Sequence, residues 1–390
     1  MESPPPSLEK HYLEKIKFLE EKNKFLENEN QLQKLYIKSL NDQIELLKEK
    51  IQTMDNNNLK QNNAKTPYNS IIANKTLTTS PLSLEFFISE AEPTHILTKN
   101  HTEPIYCIAI LNNKRIVSGG QDSKIIIYDK NYTRAELEIV EHTGAVTSLI
   151  VSSNGDLISS SCDKTLKIFR IEEINNKDII SLKYYLIQTI NTTHTNHIIH
   201  VREIYSNMLV SCSLDHQINF YCPQNNIYLL ENSLNVSKNV YNILEVLDHK
   251  LVVALPEELK LYDLKKRVFI KELNDIKCYG DWVNDNLCLL KNNYLAVCGN
   301  SFIYIVDLIQ FKFMNKVNTN TGNICLLFWD NILITGSHNG IIQEFIVNDF
   351  NLIKSSFKEK CHQNAIWQLL KDEKGNIISC GADRYIKIWK

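Results

Sequence analysis

Four histidines stand at one fixed distance from four aspartates. His101, His142, His194 and His362 each precede an aspartate (Asp122, Asp163, Asp215, Asp383) by 21 residues, and a serine (Ser118, Ser159, Ser211, Ser379) sits four residues before each aspartate. Around every Ser–Asp pair lies a short apolar run, a small-residue turn and a second apolar run, as in IISCGADRYIKIW over 377–389. That pattern is two strands joined by a tight turn. One such hairpin cannot bury its own faces, whereas copies stacked side by side can, so the spacing demands a repeat array.

The apolar or aromatic ends of the third strands fall at Tyr128, Phe169, Tyr221, Tyr262, Val306, Phe345 and Trp389, in steps of 41, 52, 41, 44, 39 and 44 residues. A period near 40–45 residues with four strands per unit gives seven blades. The one long step contains residues 171–184, which read as a loop insertion. The His/Ser/Asp spacing and the strand-end aromatics resemble the WD40-repeat family, whose members fold as β-propellers. The fold expected is an all-β seven-bladed propeller over 93–390, preceded by an α-helical parallel dimeric coiled coil.

The resemblance implies structural work for the repeated residues. In that family the His, Ser and Asp form a hydrogen-bonded network that locks the loop ahead of the blade to the hairpin, with a strand-end Trp as last member. Only Trp389 is Trp here. Tyr128 and Tyr221 replace it in two blades, and Phe169 has no hydrogen-bond donor, which shortens the network in blade two. A Ser/His/Asp set also brings a hydrolase to mind, but four copies argue against that, since an active site needs one. Blades four to six lack the set and are expected to rest on apolar packing, with Asn339–Gly340 as a tight turn in blade six. The chain ends directly after a third strand. By the same resemblance, 94–98 supplies the missing outer strand of the last blade and closes the ring.

Ahead of the propeller, residues 1–11 form a Pro-rich tip and 12–55 a heptad repeat. Position a carries Ile16, Asn23, Asn30, Ile37, Ile44 and Ile51; position d carries Leu19, Leu26, Leu40 and Leu47 beside Gln33 and Met54. Ile at a with Leu at d favours a two-stranded parallel coil, and Asn at a sets its register. The facing charges Lys15/Glu20, Lys22/Glu27, Glu29/Lys34 and Lys50/Asp55 are opposite in sign. A homodimer is expected; a heterodimer, or a helix folded back on the propeller, are the alternatives. Residues 56–92 are Asn-rich and polar and are expected to act as a tether. Within them, 81–90 is apolar enough to dock somewhere.

The net charge of −2 gives no general attraction to nucleic acid. No apolar run approaches the roughly 20 residues of a membrane span. The ten cysteines lie mostly in strand-like runs without a C-x-x-C pair, as in a reducing compartment. A cytoplasmic setting is expected, with the nucleus also open. His194, His197 and His200 need not converge on a metal, and the basic run 264–267 reads as a solvated hairpin tip. No nucleotide-binding or nucleophile motif is present, so neither cofactor, metal nor catalysis is expected.

By family resemblance, partners bind the face bearing the loops before each first strand. The position after the first apolar residue of that strand points there: Tyr106, Thr147, Ile199, Tyr241, Cys325 and Trp367. So does Gln121, ahead of a turn Asp. Tyr106, Trp367 and Gln121, with Thr147 and Tyr241, are the candidate partner site for peptide segments of other proteins; the competing reading has both rings packed inward. The arrangement resembles the autophagy conjugation scaffolds of the sixteen-like type, and also the mitochondrial-fission adaptors and Tup/Groucho-type corepressors. A non-catalytic scaffold is expected. The alternative is a ubiquitin-ligase substrate receptor, to which the Tyr128–Asp129 and Tyr262–Asp263 endings lend some support.

Overall fold

A computed structural model describes residues 92–98, 100–176, 179–225, 227–274, 276–278, 285–299, 301–348, 350–358 and 361–390. The coil expected over 12–55, with its dimerising residues, and the tether, apart from Glu92, lie outside these residues.

The described strands form seven four-stranded antiparallel sheets. In chain order within each, blade one holds Ile105–Ile110, Ile116–Gly120, Ile125–Tyr128 and Ala135–Ile139. Blade two holds Val146–Val151, Leu157–Ser161, Thr165–Asn176 and Ile179–Asn191. Blade three holds Ile198–Ile204, Met208–Ser213, Gln217–Gln224 and Ile227–Asn235. Blade four holds Asn242–Val246, Lys250–Leu255, Glu258–Asp263 and Val268–Asn274. Blade five holds Leu287–Leu289, Tyr294–Cys298, Phe302–Asp307 and Lys312–Asn318; blade six holds Asn323–Trp329, Ile332–Ser337, Ile342–Asn348 and Asn351–Lys358. Blade seven takes Ile366–Lys371, Ile377–Gly381 and Ile386–Trp389 from the end of the chain and His95–Leu97 from ahead of blade one.

That last pairing is antiparallel, His95 opposite Ile388 and Leu97 opposite Ile386. It seals the ring: Leu97 is buried in a cluster that also contains Ile105, Ile126, Tyr128, Ile378 and Ile386. Each of the seven blade junctions holds such an apolar cluster. The second and third strands are buried on both faces, which is why they read as continuous apolar runs, while the outermost strands alternate. At the seam between blades seven and one, the Tyr132 hydroxyl donates to Asp372 Oδ2 at 3.0 Å.

Residues 171–184 are not a loop insertion. The third and fourth strands of blade two simply continue, pairing from Thr165/Asn191 out to Asn176/Ile179. Ile171, Leu182 and Tyr184 of this long hairpin pack against the cluster shared by blades one and two. Arg115 of blade one, itself buried, forms ion pairs with Glu136 and with Glu173 of the hairpin.

Blade six does not rest on apolar packing alone. Thr319, Thr321, Asn323, Thr335 and Gln343 form a buried polar network: Thr321 Oγ1 donates to Gln343 Oε1 at 3.2 Å, and Gln343 Nε2 to the Thr319 carbonyl at 3.1 Å. In its tight turn Ser337 Oγ donates to Asn339 Oδ1 at 2.6 Å. Gly340 has φ of +75°, and a Cβ there would lie 2.0 Å from the His362 carbonyl oxygen. No other residue fits.

Candidate functional site

The four His/Ser/Asp sets are assembled as hydrogen-bonded chains. His Nδ1 meets the carboxylate at 2.9 Å in blade one, 2.7 Å in blade two, 3.0 Å in blade three and 2.8 Å in blade seven. His Nε2 meets the serine hydroxyl at 2.8, 2.7, 2.8 and 2.8 Å in the same order. The fourth member follows the side chain available. Trp389 Nε1 donates to Ser379 at 2.9 Å; the Tyr128 and Tyr221 hydroxyls lie 3.1 and 3.4 Å from Ser118 and Ser211; Phe169 contributes nothing.

The carboxylate sets the proton order in blade seven. The ionised Asp383 can only accept, so neutral His362 donates Nδ1–H to it, and Nε2 is left to accept from the Ser379 hydroxyl, whose oxygen in turn accepts the Trp389 indole N–H. Burial pushes each carboxyl up, but the histidine and the backbone N–H groups bonded to it hold Asp122, Asp163, Asp215 and Asp383 below the ordinary carboxylate value. Burial, only partly opposed by Asp215 and Asp383, holds His194 and His362 below the ordinary imidazole value. All four serines are fully buried, so no substrate can reach their oxygens. The sets are locks between loop and blade.

These locks hold the loops of one face, and on that face the first strand of several blades carries a β-bulge. The register shifts at Tyr106 in blade one, Thr147 in blade two, Ile199 in blade three and Trp367 in blade seven. A bulge re-aims the side chain of its extra residue. In blade six the bulge falls on Ile324, so Cys325 is one residue out of place. In blade four the first strand is regular, and Tyr241 precedes it, half-buried against the cluster between blades four and five.

Only two bulge positions carry an aromatic ring, and the closed ring makes them neighbours. Tyr106 and Trp367 meet edge to face with centroids 5.7 Å apart and planes at 86°. The Tyr106 hydroxyl donates to Gln121 Oε1 at 3.0 Å, and burial holds the phenol above its ordinary value, so it stays a neutral donor. His338 of blade six packs edge-on to Trp367 at 6.0 Å. Both rings are half-buried.

Thr147 does not join this patch. It is 1% exposed, and its hydroxyl donates to the Ile198 carbonyl at 2.7 Å and lies 2.9 Å from Ser160 Oγ. It pegs blade two to blade three. Ile199 and Cys325 are likewise buried.

Beneath the aromatic pair lies a group of residues that sequence reasoning missed. Asp285, just ahead of blade five, is ion-paired with Arg202 of blade three and accepts from Gln368 Nε2 at 2.9 Å. Gln368 Oε1 in turn accepts from the Ile108 N–H of blade one at 2.7 Å. Burial pushes the Asp285 carboxyl up, but Arg202, His200 and Gln368 together hold it below the ordinary value. The space left among these residues, about 10 Å³, has room for a single water. Trp367 and Arg202 both line it, and their Nε1 and Nε atoms are buried without a hydrogen-bond partner among the described residues. The available signal was the polar alternation of His200, Arg202 and Gln368 in otherwise apolar first strands.

The two aspartates that follow strand-end tyrosines are spent on turns. Asp129 accepts from the Thr133 and Arg134 N–H groups and from the Thr133 hydroxyl. Asp263 accepts from the Lys265 and Lys266 N–H groups. Among the described residues, no group of His, Cys, Asp and Glu is placed to hold a metal ion, and no helix is long and apolar enough to cross a membrane.

The family model described as WD domain, G-beta repeat matches residues 91–129, 135–170 and 353–390. These three stretches carry WD40 repeats. The matched stretches are the closing strand with three strands of blade one, the fourth strand of blade one with most of blade two, and blade seven with part of the strand before it. Blade three keeps the WD40 lock geometry although the match does not extend to it. No curated protein matches the chain. WD40 propellers are protein-interaction scaffolds and are generally non-catalytic.

Proposed function

We propose that this protein is a non-catalytic adaptor that binds peptide segments of other proteins at the Tyr106/Trp367 patch and dimerises through a coil over 12–55. The observation that carries the reading is the edge-to-face pair at the junction of the first and last blades, hydrogen-bonded to Gln121. A half-buried aromatic pair offers a large contact area at small entropic cost, the usual makeup of a binding hot spot. Two propellers on one coil engage clustered partners with an avidity that neither has alone. Coil, tether and propeller in this order fit a scaffold of the autophagy-conjugation type.

The ubiquitin-receptor alternative loses its main support, because Asp129 and Asp263 are occupied by their own turns. The test is co-purification of partners with the full chain and with Tyr106→Ala/Trp367→Ala. Loss of partners at an unchanged thermal midpoint supports the reading; an unchanged partner set refutes it. Sedimentation equilibrium of the full chain tests the coil independently, and a monomer at micromolar concentration refutes the dimer.

A further inference from the structure

A second cavity in the propeller is far from the patch just described. It has a volume of about 260 Å³ and opens between blades three and four. Its residues come from the end of the first strand of blade three, the start of its second, the ends of third strands, the fourth strand of blade three and the turns that follow first and third strands, so it lies on the face opposite the histidine locks. The floor is apolar: Ile204, Met208, Phe220, Tyr262 and Leu264.

One departure from the repeat and one exposed turn residue shape this space. Tyr262 is the strand-end aromatic of blade four, matching Tyr221 in blade three. Tyr221 has Ser211 ten residues upstream as a partner, whereas the same position in blade four is Val252. The Tyr262 hydroxyl consequently makes no hydrogen bond among the described residues, and its ring lines the cavity instead. The second feature is the turn Tyr205–Asn207, where Ser206 and Asn207 have φ of +62° and +57°, a form that recurs after the first strands of blades four to six. It swings Tyr205 outward onto the His249 ring, 3.9 Å away, and the Tyr205 N–H donates to Glu245. Half of Tyr205 is exposed, and it forms one wall.

The rim is charged and rigid. The turn carrying Lys265, Lys266 and Arg267 is pinned by Asp263, which accepts two of its N–H groups at 3.0 and 2.9 Å. Arg267 is ion-paired with Glu231, whose other oxygen accepts from the Cys222 thiol at 2.9 Å. The Lys265 ammonium has no ion-pair partner among the described residues. Of the residues that line the cavity, Lys265 and Arg267 are cationic and Glu231 alone is anionic, so the lining is positive by one.

We propose that this cavity takes the bulky apolar side chain of an acidic linear peptide from another protein. The volume falls short of the roughly 300–1,000 Å³ of small-molecule sites and suits one large side chain. The excess positive charge of the lining favours flanking Asp or Glu. This site is separate from the Tyr106/Trp367 patch and on the opposite face, so the propeller could hold two partners at once.

The test is a peptide array probed with the full-length protein. The probes are decapeptides with a central Phe, Leu or Ala, flanked either by Asp and Glu or by Lys. Acid-flanked Phe and Leu peptides are expected to bind saturably, and the Ala-centred and Lys-flanked ones at least tenfold more weakly. Lys265→Glu/Arg267→Glu is expected to weaken binding at least tenfold at an unchanged thermal midpoint. Lys265→Glu alone, a milder change at an exposed residue, is expected to weaken it about threefold if the pair impairs folding. Tyr106→Ala/Trp367→Ala is expected to leave it unaltered, which separates this site from the proposed adaptor patch. Equal binding of Ala-centred peptides, indifference to the charge reversals, loss in the aromatic double variant, or no binding overturns the proposal. So does a sedimentation shift on charge reversal, which would make a second copy of the chain the occupant.

Discussion

The ring edge of one aromatic meets the face of another where the two ends of the propeller join: Tyr106 in blade one and Trp367 in blade seven, 5.7 Å apart. Such pairs couple by about 0.5–1.5 kcal/mol beyond the area they bury. A double-mutant cycle on folding stability, with Tyr106→Ala, Trp367→Ala and both, is expected to return a coupling in that range. A coupling indistinguishable from zero would mean that the rings meet without stabilising the seam.

Ring closure makes a sharper prediction at two adjacent residues. Leu97 is 3% exposed and its neighbour Ile96 is 48% exposed. Leu97→Ala is expected to cost about 2–4 kcal/mol, as for other buried leucines. Ile96→Ala is expected to stay within about 0.5 kcal/mol. Denaturant melts of both variants check this, and similar losses at the two sites would contradict the pairing of His95–Leu97 with blade seven.

Blade two is missing one hydrogen bond that its neighbours have. Ser159 already bonds His142, and Phe169 sits where Tyr128 and Tyr221 place a hydroxyl beside the serine. Phe169→Tyr is expected to stabilise the propeller by roughly 0.5–1 kcal/mol, the net value of such a bond. A melting temperature lowered by the added hydroxyl would show that blade two has no room for it.

Acid is expected to unfold the propeller in two stages. His194 and His362 have folded values below the unfolded imidazole, near 6.5, so the native state binds fewer protons there. Their contribution is complete above that value and is lost as pH falls through the lower folded values. The four lock aspartates behave alike from a start near 3.9. Stability measured by urea titration should therefore decline below about pH 6.5 and fall further below about pH 4. A flat profile between pH 7 and 4 would mean that the two histidines take up protons in the fold as readily as in the unfolded chain.

The locks were legible because a network fixes its own spacing: a histidine must stand 17 residues from its serine and 21 from its aspartate to close the chain of bonds. Tyr106 and Trp367 were legible for the same reason, since the lock histidine counts off the bulge that follows it. Where the histidine is absent the count drifts, and blade six shows it in the slip from Ile324 to Cys325. Thr147 has the right position but a small hydroxyl side chain that reaches a neighbouring carbonyl and turns inward. The long hairpin of blade two hid because it runs past the body of the sheet, where charged residues such as Glu172 and Glu173 dilute the strand pattern. Asp285 was invisible for a different reason. Its partners Arg202 and Gln368 come from blades three and seven, and only closure of the circle brings them together.

The strand synthesised first is the one used last. Thr94 and Ile388, bonded through the backbone, are 294 residues apart in the chain. At about 5–20 residues per second, a ribosome needs roughly 15–60 s to travel that distance. During that interval His95–Leu97 has no mate, and every finished blade behind it waits in an arc with two raw ends. A newborn chain thus carries an unmated edge at each end of the arc for most of its synthesis.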